Sequence, residues 1–456
     1  MAKKQKYDFD LIVIGSGAGG TAAATTAARQ GKSVAVIESD NFGGQSPNIS
    51  DIPTKALLHV AHLYDDTKQG VRFGIRSNTI GYNFPTIKDW KDTAVKRAGG
   101  NRRHYQQAGI STYQGRGHFT GPNEVSVNNR KLTARFFLIS TGSKWKIPDI
   151  QGLDTIGYLT PETIIKAIRP PKSLFIIGGG NIAIEIAQLF ATFGTKVYVA
   201  EIASRILPHE DESVGQFIQK EFESKKGMTI LTQTKTLAVE KENIAKRVTY
   251  TRGGVERTVR VDEILLADSR EPELDLGLDN VGVSYSKNGI EVNEFLQTSN
   301  KYIFASGDVI GNNQNFTHTA LNEGRIAYHN MFHRNQIVPN YTATPRITFT
   351  NPEIASVGLT ENDCIKRDLS IKIGLAPLNT IARSNTSDNR GGFVKIISDK
   401  KGVIIGSTVI APGAGEIIHE LTLAVHHKMT AHQVAEAPHA YLSWSEAVKG
   451  AATQLT

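Results

Sequence analysis

The chain is nearly devoid of cysteine. A single thiol, Cys364, in 456 residues rules out an intramolecular disulfide, a Cys-x-x-Cys redox pair and a cysteine-rich metal site. Long apolar runs are missing as well; none approaches the roughly 18 residues a helix needs to span a bilayer. There is no acidic excess, because 52 Lys and Arg against 44 Asp and Glu leave a net charge of +8. The cations are scattered, and the one dense run is Lys3, Lys4 and Lys6. That spread fits an enzyme attracting anionic cofactors, not a nucleic-acid partner. Asp8, Asp10 and a glycine turn follow the basic start at once, which does not suit a signal peptide, so a cytoplasmic protein without membrane insertion is expected. His59, His62, His419, His426 and His427 lie on helical stretches without Cys or paired acids, so no metal site is expected.

Glycine is abundant, with 42 residues, much of it clustered just after apolar runs. A chain this long exceeds one compact core and implies about three domains. Residues 9–38 read as strand, glycine turn, small-residue helix and strand, and residues 174–201 repeat the plan. From about Thr344 the pattern changes to antiparallel strands with an Asp399-Lys400-Lys401-Gly402 hairpin turn, then an amphipathic helix from Glu416.

Each βαβ unit carries a dinucleotide fingerprint. In the first, Gly15-x-Gly17-x-x-Gly20 follows the strand, and Glu38 ends the next strand. Such glycines allow a tight turn, close approach of backbone to a pyrophosphate and close helix–strand packing, and the acid meets ribose hydroxyls. In the second, Gly178, Gly179 and Gly180 are followed by Ala183 in the third glycine's place, with Glu201 ending the next strand. An acid there would repel a 2′-phosphate, which favours NAD(H) over NADP(H), although Arg205 stands nearby. The spacing alone leaves open which site holds the fixed cofactor and which the exchanging one.

Several segments in order resemble the class I pyridine nucleotide–disulfide oxidoreductases. These include GSGAGG, GGQSPNISDIPTKALLH at 43–59, STGS at 140–143, GGGNIAIE at 178–185, FASGDVIG at 304–311, FTHTALNEG at 316–324 and HAYLSWSEA at 439–447. The resemblance assigns FAD to the first site, with Gly44, Lys55, Gly117, Thr141, Gly142, Asp308 and His318 around it. It assigns the nicotinamide cofactor to the second, with Glu185 and Ser269. Ser269-Arg270 replaces the family's usual Gly-Arg. It implies an α/β fold with two Rossmann-like dinucleotide-binding domains plus a C-terminal α+β dimerisation domain. The expected boundaries are 1–148 and 276–344 for FAD, 149–275 for NAD(H) and 345–456 for the interface of a homodimer.

The departures from this family are chemical. Its Gly-Gly-x-Cys-x4-Cys-x-Pro-x-Lys segment here reads Gly43-Gly44-Gln45-Ser46, four residues, then Asp51-Ile52-Pro53-Thr54-Lys55. Ser46 takes the interchange-thiol position and Asp51 the flavin-proximal one. Neither can form a disulfide, and neither is a soft nucleophile. The family's catalytic histidine, five residues before a glutamate, becomes Tyr441 before Glu446. His439 could be mistaken for that base but reads as a surface or interface histidine. Lys55 and Glu185 keep the positions of an ion pair beside the flavin. The expected function is an FAD-dependent NAD(P)H oxidoreductase passing electrons to a diffusible small-molecule acceptor without a dithiol. Two alternatives stay open: a dihydrolipoamide dehydrogenase- or mercuric reductase-like protein that has lost thiol activity, and a non-enzymatic flavin and NADH sensor or complex subunit.

Overall fold

The computed structural model describes residues 7–76, 79–312 and 314–456, so the Lys3, Lys4 and Lys6 run lies outside it. The chain divides into two compact units, each assembled from three stretches.

The first unit comprises Met1–Thr54, Asp89–Lys146 and Ser269–Tyr341. Its sheet has a parallel core in the order Ser111–Gln114, Val34–Glu38, Phe9–Ile14, Arg130–Ile139, Ile303–Ala305. Leu11, Ile12, Val13, Val36, Phe137 and Leu138 are fully buried, as continuous apolar runs must be when helices cover both faces of a parallel sheet. The Ala18–Arg29 and Thr317–Phe332 helices meet at two glycines. A Cβ on Gly324 would lie 2.0 Å from the Gly19 carbonyl oxygen, so a side chain there would force the helices apart. Strand order reverses beside Phe9–Ile14, and ligands of such sheets bind beyond the carboxyl ends of strands at this point.

The second unit comprises Lys55–Lys88, Ile147–Asp268 and Thr342–Thr456. It repeats the plan with a parallel sheet ordered Thr229–Leu231, Lys196–Ala200, Ser173–Ile177, Glu263–Leu266. It also contains a five-stranded antiparallel sheet over 346–411, whose Phe393–Asp399 and Ile404–Ala411 strands are joined by the expected hairpin. The Ala414–His426 helix packs Ile418, Leu421 and Ala424 into that sheet's core. The fold is thus α/β, with two Rossmann-like folds and a C-terminal α+β domain. Among the described residues no helix is long and apolar enough to cross a membrane.

Candidate functional site

In the first fingerprint, two of the three glycines serve the protein itself. Gly15 has φ +96°, and a Cβ there would sit 2.2 Å from the Ser140 carbonyl oxygen. A Cβ on Gly20 would sit 2.0 Å from the Gly15 carbonyl oxygen. Gly17 is different: its φ of −62° suits any residue, and nothing lies within 4 Å of its missing Cβ. The open space faces the start of the Ala18–Arg29 helix, which has no side-chain cap and no acid in its first turn. Unpaired N–H groups and the macrodipole make that end a place for an anion.

The second fingerprint repeats this division of labour. Gly178 has φ +108° and a would-be Cβ 2.6 Å from the Ala267 carbonyl oxygen, whereas Gly180 has open space around it. The acids match as well. Glu38 Oε2 accepts the Ser16 N–H at 2.9 Å, and its Oε1 accepts the Asp40 N–H at 2.8 Å. Glu201 Oε2 accepts the Gly179 N–H at 2.7 Å, and its Oε1 accepts the Ala203 N–H at 2.7 Å. In both folds the acid and the fingerprint N–H are 22 residues apart. Each carboxylate is thereby buried and fixed, yet keeps lone pairs for ribose hydroxyls. Arg205 turns to its own loop, donating to the carbonyls of Pro208 at 3.1 Å and Glu210 at 3.3 Å.

The segment that carries the family's cysteines elsewhere packs on the first fingerprint. Gly43 N–H donates to Ser16 Oγ at 2.9 Å, and a Cβ on Gly44 would lie 2.6 Å from Gly17 Cα. Ser46 Oγ donates to Asp51 Oδ2 at 2.8 Å. The same oxygen accepts the Thr317 hydroxyl at 2.8 Å. The two replaced positions therefore touch each other, and Asp51 also reaches the first residue of the Thr317–Phe332 helix. Arg270 braces this region from a third side, donating to Gln45 Oε1 at 2.5 Å, the Ser143 carbonyl at 2.6 Å and Ser143 Oγ at 2.8 Å. Ser143 Oγ in turn donates to Asp308 Oδ2 at 2.5 Å. Thr141 Oγ1 donates to the Glu273 carbonyl at 2.9 Å, and Gly142 has open space at φ +71°. Gly117 packs on Ile14 and Ile37. His318 is exposed and stacks on Phe316. Next to it, Thr319 Oγ1 is buried without a hydrogen-bond partner among the described residues. An uncapped helix, two open glycines and an orphaned hydroxyl fit a bound dinucleotide such as FAD.

Glu323 supports the Asp308 turn from behind. Its Oε2 accepts the Gly307 N–H at 2.6 Å, and its Oε1 accepts Asn312 Nδ2 at 2.9 Å and the Tyr341 hydroxyl at 2.7 Å. Burial pushes its carboxyl above the usual range despite those donors, and the charge of Asp308 adds to the push. A raised folded-state pKa means its contribution is fully present below the unfolded pKa and is lost as pH rises through the folded one. Glu323→Gln should be less stable than wild type at pH 4.5, because an amide NH2 faces donors already in place, and a buried unpaired donor costs about 1–3 kcal/mol. Thermal melts should show that gap narrowing between pH 4.5 and pH 8.

In the second unit, Lys55 Nζ lies 2.9 Å from Glu185 Oε2 and 4.9 Å from the Phe349 ring centre. Glu185 is 2% exposed, and its Oε1 accepts the Phe349 N–H at 2.9 Å. Tyr441 is 76% exposed, and Glu446 Oε2 accepts the Leu442 N–H at 3.0 Å. Of the two places expected for His439, surface or interface, the free surface is excluded: its side chain is 5% exposed, with Nε2 2.6 Å from Glu420 Oε1. The Ser269 carbonyl accepts the Lys146 N–H at 2.9 Å. Cys364 is buried, and burial pushes its thiol pKa up. Among the described residues no group of three or more His, Cys, Asp or Glu could hold a metal ion.

The family profile described as pyridine nucleotide-disulphide oxidoreductase matches residues 9–324, and its dimerisation domain matches residues 344–452. The chain belongs to this family. Similar oxidoreductases of the family include mercuric reductase from Streptomyces lividans, 34% identical over 98% of this chain and 96% of that protein. Dihydrolipoyl dehydrogenase from Geobacillus stearothermophilus is 32% identical over the same shares. Among solved structures, LpdA from Mycobacterium tuberculosis superposes with a TM-score of 0.88 at 25% identity, over 98% of this chain and 99% of that one. The HOCl-induced flavoprotein disulfide reductase RclA from Escherichia coli gives 0.86 at 25% identity, over 98% and 100%. The chain is thus an FAD- and pyridine nucleotide-type oxidoreductase of this family with a single cysteine.

Proposed function

We propose that this protein oxidises NADH and passes the electrons to a diffusible acceptor without a dithiol. The observation that carries the reading is the hydrogen-bonded Ser46–Asp51 pair, found where the family's segment has its two sulfurs. On this reading residues 1–148 and 276–344 hold FAD, 149–275 hold NAD(H), and 345–456 form a homodimer interface. Bound at the first fingerprint, FAD supplies the redox chemistry, and the protein supplies binding and electrostatics.

The residues divide the remaining work. Gly15, Gly17 and Gly20 shape the FAD phosphate turn, Glu38 takes ribose hydroxyls, and Asp308 with Thr141 and Gly142 flanks the cofactor. Gly178, Gly180 and Glu201 do the same for the nicotinamide nucleotide. Glu201 repels a 2′-phosphate, and Arg205 turns one guanidinium nitrogen to the carbonyls of Pro208 and Glu210, which supports NADH over NADPH. Lys55 places a cation where negative charge accumulates, and Glu185 holds it there. Tyr441 and Glu446 stand where the family places its thiol base and that base's partner. Without thiols no thiol base is required.

Anaerobic rapid mixing of the FAD-loaded protein with NADH, then NADPH, tests this. Flavin absorbance is expected to bleach within seconds, faster with NADH. Quinones, ferricyanide, oxygen or thio-NAD should then restore it, and lipoamide should not. A flavin that stays oxidised for minutes overturns the enzyme reading in favour of a binding protein. Turnover of lipoamide matching the other acceptors overturns the sulfur-free route.

A further inference from the structure

Ser46 and Asp51 do more than fill the places of two sulfurs. Asp51 Oδ2 accepts from Ser46 Oγ and from Thr317 Oγ1, both at 2.8 Å. Thr317 is exposed, while Asp51 and Ser46 are half-buried. Ser46 follows Gly44, whose backbone lies against Gly17 at the open phosphate turn. The three side chains therefore run from solvent into the segment that packs on the phosphate turn. Asp51 also heads the Asp51–Gln69 helix, where the macrodipole favours a carboxylate.

We propose that Thr317, Asp51 and Ser46 form a proton relay, and that the acceptor belongs to the quinone class, which takes up protons together with electrons. The proposal rests on the sulfur-free reading above. An ionised carboxylate only accepts hydrogen bonds, so both hydroxyls direct their protons at Asp51 and keep lone pairs free on their outer sides. A proton arriving at Thr317 from water can thus pass to Asp51, and one leaving Asp51 passes through Ser46 once the Ser46 hydroxyl turns its own hydrogen outward.

The balance requires such a path. NADH gives up two electrons and one proton, and a quinone becoming a quinol gains two electrons and two protons. The second proton comes from solvent, so NADH, one proton and the quinone give NAD+ and the quinol. Ferricyanide takes single electrons and no proton; each NADH then reduces two ferricyanides and releases one proton, and the relay is bypassed.

Asp51→Asn keeps the shape and an acceptor oxygen for both hydroxyls but cannot carry the proton. The FAD-loaded wild type and variant are compared with NADH and a water-soluble benzoquinone, then with NADH and ferricyanide, between pH 5.5 and 9. The variant is expected to lose roughly tenfold in quinone kcat, because water replaces a half-buried relay only in part. The ratio of quinone to ferricyanide turnover should therefore fall roughly tenfold. Thr317→Val should slow the quinone reaction less and spare ferricyanide. Equal effects on both acceptors, or an unchanged quinone rate, would overturn the relay alone. A wild type that turns over neither acceptor would overturn the underlying reading, and the relay with it.

Discussion

Glu185→Ala is expected to slow reduction of the bound flavin by NADH by roughly 10- to 100-fold, with the flavin still bound. Glu185 is 2% exposed and uses both oxygens, one on Lys55 Nζ and one on the Phe349 N–H, each at 2.9 Å. Alanine leaves a cation without its anchor and a backbone donor without an acceptor. A hydrogen bond to a charged group is worth about 1.5–3 kcal/mol, and each 1.4 kcal/mol is a factor of ten, which sets the range. Lys55 is 28% exposed, so water will solvate the released ammonium and no larger loss is expected. Glu185→Gln separates the two duties. It can keep the Phe349 contact and a neutral hydrogen bond to Lys55, so it should recover part of the rate. Stopped-flow absorbance under anaerobic conditions reads both variants. Glu185→Ala at the wild-type rate would remove the ion pair from the reaction.

The parts of the molecule legible in the sequence are those where chemistry constrains spacing along a short stretch. Both fingerprints could be read because a phosphate turn demands glycines at fixed intervals and an acid one strand later. The substituted dithiol could be read because its frame survives from Gly43 to Lys55. Contacts that close over long separations were not legible. Thr317 meets Asp51 across 266 residues, and Arg270 meets Gln45 across 225. Thr317 lies in a segment that resembles the family, but nothing in that segment announces its partner. His439 is a further case. It reads as a surface or interface histidine, and the structure sinks its ring and gives it Glu420, a residue 19 positions away. The repeated carboxylate pattern, with Glu38 on Ser16 and Glu201 on Gly179, shows that the duplication extends to individual hydrogen bonds, which periodicity cannot reveal.

The three losses also fit together as one change. A dithiol needs a base to manage its protons, and without the dithiol that base has no task. Tyr441 is 76% exposed and His439 is occupied by Glu420, so neither replaces it within the same chain. On the relay proposed above, proton handling for an acceptor falls instead to groups at the vacated sulfur positions. The nicotinamide half, Lys55 with Glu185, needs no alteration for this.

Which fingerprint holds which cofactor is decided by two alanine substitutions with opposite signatures. Gly17 and Gly180 have φ of −62° and −73°, both ordinary for alanine, and neither would-be Cβ meets anything within 4 Å. The protein alone therefore has no objection to a methyl at either place. The objection would come from a pyrophosphate seated against the bare backbone. Gly17→Ala should fold, dimerise as wild type does and emerge from purification colourless, having lost FAD. Gly180→Ala should emerge yellow, with its flavin spectrum unchanged and its Kd for NADH raised about 100-fold, equivalent to ~2.7 kcal/mol. Gly15→Ala and Gly178→Ala are the controls. Their φ of +96° and +108° and would-be contacts at 2.2 and 2.6 Å strain the chain itself, so both should lower Tm whether or not a cofactor is present. Flavin-to-protein absorbance ratio, NADH titration and thermal melts separate the four variants. If Gly17→Ala kept its flavin while Gly180→Ala lost it, the two cofactor assignments would have to be exchanged.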